Sequence, residues 1–255
     1  MLTKRVLGKI APIAAASVML ATGSITAYAN TVETAPVSGF ARSFLLGKHL
    51  ANATVTVLET GLKLATDKDG HFGPFQYPVG EPITLEFEKW GYKTTQSATI
   101  IMPAEGLTGP FNNVTFQVPS VETYYLFSYL IGASIDKNSC HLTSTITAYH
   151  KILDDAPQGV EGAIAQITPA VDQRPFYFGI YESGPLKGKT NPFTRGLKKS
   201  SEDGGIAFFN LPPRDEPYVI SASKDGVHFS EATFRCRKGA FINISPPRGP
   251  MEQKA

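Results

Sequence analysis

The chain has 255 residues, of which 42% are hydrophobic and 18% charged, and its formal net charge is +2. That length accommodates two domains of roughly 100 residues, each with its own core. With so small a charge, which becomes −1 once the N-terminal segment described next is removed, we do not expect long-range attraction to nucleic acid or to an anionic membrane.

Residues 1–29 have the pattern of a signal peptide. Basic residues precede an apolar run from Ile10 to about Leu20, and Ala27-Tyr28-Ala29 has the small-x-small pattern of a cleavage site. An uncleaved anchor is the alternative, but Pro12 breaks the run, and a membrane span needs roughly 20 apolar residues. Cleavage takes the formal net charge from +2 to −1 and leaves no membrane span in the mature chain. We therefore expect an exported protein that is periplasmic, cell-surface or secreted.

The most informative feature of the mature chain is an internal repeat with an offset of 134 or 135 residues. The turn Asp67-Lys68-Asp69-Gly70 recurs as Ser201-Glu202-Asp203-Gly204, and Lys89-Trp90-Gly91 recurs as Lys224-Asp225-Gly226. In each copy, turn residues alternate with short apolar runs, as in consecutive β-strands. The repeat therefore predicts two related β domains.

Turn signals every 8 to 12 residues or so divide the first domain, residues 37–120, into short strands, as in a β-sandwich. The apolar side chains alternate most clearly from Ala53 to Leu58. The predicted strands are Val37–Leu46, Ala53–Leu58, Leu62–Thr66, His71–Phe75, Ile83–Glu88, Tyr92–Ile101 and Val114–Val118.

An aromatic connector, residues 121–139, separates the first domain from the second. A flexible linker would be rich in Gly, Ser or Pro, so we expect this segment to pack against a domain as a short helix or an extended strand. An aromatic binding platform is the alternative interpretation. It contains Tyr124, Tyr125, Phe127 and Tyr129.

The second domain, residues 140–247, follows the same order but carries a long insertion, residues 168–200, and residues 248–255 form a tail. Loops longer than about 12 to 15 residues are usually functional or disordered. The predicted strands are Leu142–Tyr149, Ala163–Ile167, Phe176–Tyr181, Ile206–Phe209, Tyr218–Ser223, Val227–Arg235 and Phe241–Ile244.

Both cysteines, Cys140 and Cys236, lie at predicted strand ends of the second domain. In an exported protein the two thiols are expected to pair as a disulfide. Two buried free thiols are the alternative.

The repeat unit resembles the carboxypeptidase regulatory-like domain. The resemblance rests on the Ala53–Val57 strand, the Thr66–Phe72 turn and the sequence Phe87-Glu88-Lys89-Trp90-Gly91-Tyr92, and it is weaker in the second copy. It implies an all-β fold of two tandem transthyretin-like (prealbumin-like) antiparallel β-sandwich domains. It implies no catalytic residue, because the family includes regulatory, adhesive and carbohydrate-associated modules.

Enzyme chemistry finds no support in the sequence. Of the enzymes with a transthyretin-like fold, intradiol dioxygenases hold iron with two Tyr and two His, whereas His141, His150 and His228 form no His-x-His pair. Hydroxyisourate hydrolases end in Tyr-Arg-Gly-Ser, which is absent here. The Asp67–Gly70 turn offers too few oxygens for calcium, and its residues suit a hairpin. We therefore expect no enzyme, no metal and no cofactor.

The insertion is the best candidate for ligand binding. Aromatic faces suit sugars or peptides, and basic side chains suit carboxylates or phosphates. A soluble loop around an ordinary strand is the alternative. The candidate ligand-binding residues are Arg174, Phe176, Tyr177, Tyr181, Phe193, Arg195, Lys198 and Lys199.

The sequence as a whole predicts an exported, non-enzymatic binding or interaction protein whose ligand is a protein or a glycan. Two hypotheses remain open beside it. One is an enzyme with a site in the interdomain cleft or under the insertion, and the other is a structural component of an envelope or surface assembly.

Overall fold

A computed structural model describes residues 32–130, 132 and 134–254 of the chain. The predicted signal peptide, residues 1–29, lies outside the described residues. The first half forms seven strands, β1 Thr34–Ser43, β2 Thr54–Val57, β3 Lys63–Ala65, β4 His71–Pro78, β5 Pro82–Glu88, β6 Thr95–Ile101 and β7 Val114–Val118. All seven overlap predicted strands, although β1 begins and ends three residues before the predicted Val37–Leu46.

A single helix among the described residues, α1 Val121–Leu130, occupies most of the connector. Nine strands follow it, β8 Cys140–Thr145, β9 Ile164–Thr168, β10 Phe176–Tyr177, β11 Gly179–Ile180, β12 Thr190–Asn191, β13 Gly205–Leu211, β14 Tyr218–Ser223, β15 Ala232–Phe234 and β16 Phe241–Ile244. The predicted strand Phe176–Tyr181 is split into β10 and β11. The predicted strand Val227–Arg235 is shortened to β15.

The strand pairing of the first half recurs in the second. Strands β4, β1 and β7 pair in that order, as do β13, β8 and β16. Likewise β2, β5 and β6 pair in that order, as do β9, β14 and β15. Every pair has the same direction as its counterpart. The fold is therefore mostly β and of the sandwich type, with one set of six paired strands in each half.

The sheets are mixed, so the prediction of purely antiparallel sheets is wrong. Strands β1 and β7 pair in parallel, and β8 and β16 do the same. Parallel neighbours need a connection of a dozen or more residues, and residues 44–113, which include β2 to β6, lie between β1 and β7. Two strands joined by a short hairpin must run antiparallel, whereas two strands joined by a long connection can run parallel.

A buried hydroxyl holds the same turn in each half. Thr66 Oγ1 donates to Leu50 O at 2.6 Å and accepts the Ala53 N–H at 2.9 Å. Ser200 Oγ donates to Val160 O at 2.5 Å and accepts the Ala163 N–H at 2.9 Å. Thr66 and Ser200 are 134 residues apart in the sequence, the offset of the repeat. We call these two arrangements the hydroxyl clamps.

The acidic turn of each half is held by its own side chain. Asp67 Oδ1 accepts the backbone N–H groups of Asp69 and His71, and the bond from His71 contributes most to lowering the pKa of Asp67. In the second half, Ser201 Oγ accepts the Asp203 N–H in the same way. These bonds give the turn the folding role that its sequence predicts.

Each half has its own hydrophobic cluster. The first is built on side chains such as Val55, Phe87 and Phe116, and the second on Leu142, Ile206 and Phe234. In the second cluster Cys140 and Cys236 form the predicted disulfide, with Cα atoms 5.5 Å apart. Both cysteines are almost fully buried. In a chain-entropy treatment, a loop of this length stabilises the fold by about 4 to 5 kcal/mol.

Strand β6 joins the two halves. It pairs in parallel with β16 at Thr95 and Gln96, and its Thr99 pairs with Thr233 of β15. Polar contacts reinforce this junction, because Arg237 Nε donates to Gln96 Oε1 at 2.9 Å and Arg237 also forms an ion pair with Glu86. The described chain from Val32 onward is consequently one compact unit.

The C-terminal segment also ties the halves together. Thr115 Oγ1 donates to Pro246 O at 2.7 Å, and the Arg248 guanidinium donates to both oxygens of Asn112. The Thr147 N–H donates to Pro250 O at 2.8 Å. The predicted tail is therefore anchored to both halves through residue 252, where the Glu252 N–H donates to Thr147 O.

Helix α1 packs on the second half. Tyr124 and Phe127 are buried against Phe209 and Phe241, together with Phe178 from the insertion. The connector therefore packs as a helix, as one of the two predicted conformations. Among the described residues no helix has the length and apolar character needed to cross a membrane.

Candidate functional site

The aromatic candidates of the insertion are largely used for packing. Tyr177 is 4% exposed, and its phenolic oxygen accepts the Ala165 N–H at 3.0 Å. Phe176 is half-buried against Phe209, and Phe193 is half-buried against Phe127. Tyr181 is also half-buried. These side chains therefore fill space beside the second core in this structure.

The basic candidates are exposed, and they stand at two places along the insertion. Arg174 precedes β10, whereas Arg195, Lys198 and Lys199 follow β12. Their role in binding remains a prediction. The insertion itself is an integral part of the fold, because it supplies Phe178 to the cluster under α1 and ends at the clamp residue Ser200.

A cleft of about 420 Å³ lies beside the insertion, between the two halves. The insertion contributes Ile180, Lys189 and Thr190 to its lining, and the eight predicted residues are not among those that line it. Its other walls are the segments 42–47 and 153–158, with Gln117 and Asp203. The enzyme hypothesis requires a site in a cleft between the halves or under the insertion, and this cleft lies at that place.

Three charged groups of this cleft are engaged by the protein itself. Burial is the main cause that raises the pKa of Asp203, while hydrogen bonds from Thr190 Oγ1 and the Gly205 N–H oppose that shift. Arg42 forms an ion pair with Asp154 and donates to Leu153 O. Asp203, Arg42 and Asp154 therefore all have partners within the protein.

Metal chemistry has no candidate site in the part of the chain that the structure describes, where no group of three or more His, Cys, Asp or Glu side chains is placed to hold an ion. His141 illustrates why. Its Nδ1 accepts the Asn210 N–H at 3.1 Å, and its ring packs between Tyr124 and Phe209. Burial, and secondarily the charge of Lys93, lowers the pKa of His141 to about 4. The imidazole is therefore a neutral packing group.

An exposed apolar surface lies on the opposite side of α1 from the core. Trp90 is 97% exposed, and on α1 Tyr129 is 79% exposed while Tyr125 and Leu126 are each 50% exposed. The Val121 N–H donates to Gly91 O at 3.1 Å, which places the start of α1 beside the turn that carries Trp90. We call Trp90, Val121, Tyr125, Leu126 and Tyr129 the Trp90–α1 surface.

The fold does not require tryptophan at position 90. The Tyr92 N–H donates to Lys89 O at 3.1 Å, and in the second half the Val227 N–H donates to Lys224 O at the same distance. That second turn carries an exposed Asp225 where the first carries Trp90. The sequence interpretation used Trp90 in the repeat and in the resemblance motif but not as a candidate site residue, although the difference between the two copies is visible in the sequence.

No protein-family model matches the chain, and no curated protein matches it. Three of the solved structures that match are similar to the chain at low identity. The Bacillus anthracis TIE protein is 16% identical, with a TM-score of 0.24, over 87% of this chain and 34% of that one. The shaft pilin SpaA from Lactobacillus rhamnosus GG is 10% identical, with a TM-score of 0.25, over 88% of this chain and 99% of that one. A streptococcal ancillary pilin is 11% identical, with a TM-score of 0.23, over 88% of this chain and 64% of that one.

The chain thus spans about a third of the TIE protein. All three TM-scores lie well below 0.5, so these likenesses carry no argument about fold or function. The proposals for this chain therefore rest on the geometry of its own residues.

Proposed function

We propose that this chain is an exported, non-enzymatic interaction protein made of two tandem transthyretin-like sandwiches, and that it binds a protein partner through the Trp90–α1 surface. The tandem arrangement, residues 37–120 and 140–247, is supported by the recurrence of the strand pairing and by the two hydroxyl clamps. Export is supported by the signal-peptide pattern of residues 1–29.

The exposure of Trp90 is the observation that carries the proposal. Burying an aromatic side chain removes about 150 to 250 Å² from water. At about 25 cal/mol per Å², this corresponds to roughly 4 to 6 kcal/mol of hydrophobic stabilisation that the isolated chain forgoes. Tryptophan and tyrosine are enriched among the residues that dominate protein interfaces. Since the turn forms equally with aspartate, a partner surface is the simplest use of Trp90.

A protein partner fits this surface better than a glycan. The exposed side chains come from a turn and two turns of a helix, and they include the aliphatic Val121 and Leu126. Aromatic and aliphatic groups together match the apolar centre of a protein interface, whereas sugars need polar groups that fix their hydroxyls. The exposed basic residues of the insertion, among them Lys198 and Lys199, remain a predicted second contact for acidic groups.

The test replaces Trp90 by the residue that the second copy uses. Trp90→Asp gives the first turn the sequence of Lys224-Asp225-Gly226, so the fold is expected to be retained by circular dichroism and thermal midpoint. Residues 30–255 of the wild type and of the variant are compared by cross-linking and capture from extracts of the source cells. We expect partners captured by the wild type to be lost from Trp90→Asp.

The matched control is Asp225→Trp in the Trp90→Asp background. It restores an exposed tryptophan in the equivalent turn of the other copy, away from α1. Recovery of the same partners by this control would show that an exposed indole alone is adhesive, and the proposal would fail. Loss of self-association in Trp90→Asp, measured by sedimentation, would instead favour a structural component assembled from copies of the chain.

A further inference from the structure

A second cleft opens where β6 and β15 separate. The two strands pair only at Thr99 and Thr233. On its other edge β6 pairs with β5 as far as Ile101, and β15 pairs with β14 as far as Ala232. Beyond this pair, Ile100 and Ile101 of one strand face Ala232 and Glu231 of the other without a strand between them. The open stretch ends at Ser230, whose N–H donates to Met251 O of the C-terminal segment at 2.8 Å.

The cleft between these edges has a volume of about 530 Å³, within the usual range of about 300 to 1,000 Å³ for ligand sites. Ile100, Ile101, Ala232 and Pro247 give it an apolar lining. Ile101 is 63% exposed there. Two strand edges with an apolar lining are suited to an extended peptide, whose main chain can pair with an edge while alternate side chains contact the walls.

Charge distinguishes the two ends of the cleft. In the antiparallel register, Arg235 follows the joined pair at Thr99 and Thr233, whereas Glu231 lies toward the open end. Arg248 of the C-terminal segment also lines the cleft. The closed end thus carries the guanidinium of Arg235, and the open end carries the carboxylate of Glu231.

The Arg235 guanidinium keeps free donors. Its side chain is 45% exposed and forms an ion pair at 4.0 Å with Glu59, a mostly buried carboxylate whose Oε1 has no hydrogen-bond partner among the described residues. Arg248 bonds to Asn112 through one nitrogen, and its Nε is buried. An arginine has five N–H donors in a fixed fork, so the exposed Arg235 can still donate to a carboxylate.

We propose that this cleft binds the C-terminal end of an extended peptide, with the terminal carboxylate held by Arg235. A strand that enters between β6 and β15 must end where the two strands rejoin, because no space for a continuing chain remains there. The group at that position is then a chain end, and the positive charge selects the carboxylate. This site is separate from the Trp90–α1 surface, and either assignment stands without the other.

The test measures binding of short N-acetylated peptides of alternating threonine and valine, made with a free C-terminal carboxylate or with a C-terminal amide. Residues 30–255 are titrated by NMR, with sodium acetate as a separate ligand. We expect the acid peptide to bind at least about tenfold more tightly than the amide, which corresponds to one charge-assisted interaction. Shifts are expected at the amides of Thr99–Ile101 and Glu231–Thr233.

Arg235→Gln is expected to remove the preference for the acid, and circular dichroism checks that the chain stays folded, because the mostly buried Glu59 loses its ion-pair partner. Lys68→Gln is the control, since it removes an 89% exposed charge outside the cleft. Equal binding of acid and amide by the wild type, or an unchanged preference in Arg235→Gln, overturns the proposal. Acetate that binds as tightly as the acid peptide also overturns it, because the cleft would then be a site for small anions.

Discussion

Removing the hydroxyl of Thr66 tests the clamp of the first half. The side chain is 3% exposed and serves both the Ala53 N–H and Leu50 O. Thr66→Val keeps the shape of the side chain, so no cavity forms, but both backbone groups lose their partner away from water. Each buried group left unpaired costs about 1 to 3 kcal/mol.

The expected loss is therefore about 2 to 6 kcal/mol, a large part of the roughly 5 to 15 kcal/mol that stabilises a typical domain. Equilibrium urea denaturation measures it as a lower midpoint with an unchanged slope. Ser200→Ala, the counterpart in the second half, is expected to cost a similar amount, because its hydroxyl serves Val160 O and the Ala163 N–H.

Thr60→Val is the matched control for Thr66→Val. Thr60 Oγ1 accepts the Leu62 N–H at 3.3 Å in an exposed turn, where water replaces the lost bond. The control should lie within about 0.5 kcal/mol of the wild type. A Thr66→Val variant as stable as this control would refute the reasoning, and a neutral Ser200→Ala beside a costly Thr66→Val would reject the equivalence of the two clamps.

Two further predictions concern the cluster under α1. Because the pKa of His141 is lowered to about 4 from 6.5, the unfolded chain binds this proton more tightly, so stability should fall as the pH drops through that window. His141→Phe keeps a ring beside Tyr124 but binds no proton, and denaturation at several pH values should show a flatter dependence; a dependence as steep as that of the wild type contradicts this. Phe178→Ala removes a side chain that is 3% exposed, with an expected cost of about 3 to 5 kcal/mol. Leu186→Ala, at a 51% exposed position of the same insertion, should be nearly neutral in the same urea assay, and equal effects would show that the insertion does not belong to the core.

Local chemistry made the strands predictable. Alternation from Ala53 to Leu58 and the acidic turn at Asp67 are properties of neighbouring residues, and all seven strands of the first half follow them. The disulfide was predictable because export and strand-end positions together favour pairing of Cys140 with Cys236. Strand boundaries were hardest to predict in the insertion. There the single predicted strand Phe176–Tyr181 is divided into β10 and β11, which have two residues each.

Burial of the insertion aromatics was not predictable. The sequence shows Phe176 and Tyr177 as apolar side chains in a long loop, but a ligand and a neighbouring core attract such groups by the same hydrophobic effect. Only the placement of β10 against β13 decides that Tyr177 is covered by the protein itself. The reverse holds for Trp90, whose exposure follows from the turn on which it stands and from the position of α1.

The sequence by itself determined the repeat, the succession of strands and turns, and the disulfide, because each depends on residue type and spacing along the chain. The tertiary structure alone decided the parallel pairs, the sharing of β6 between the halves, and the two clefts. The physical reason is that hydrogen bonding at a strand edge is the same for any partner strand. Which partner is chosen depends on how side chains far apart in sequence fill the space between the sheets.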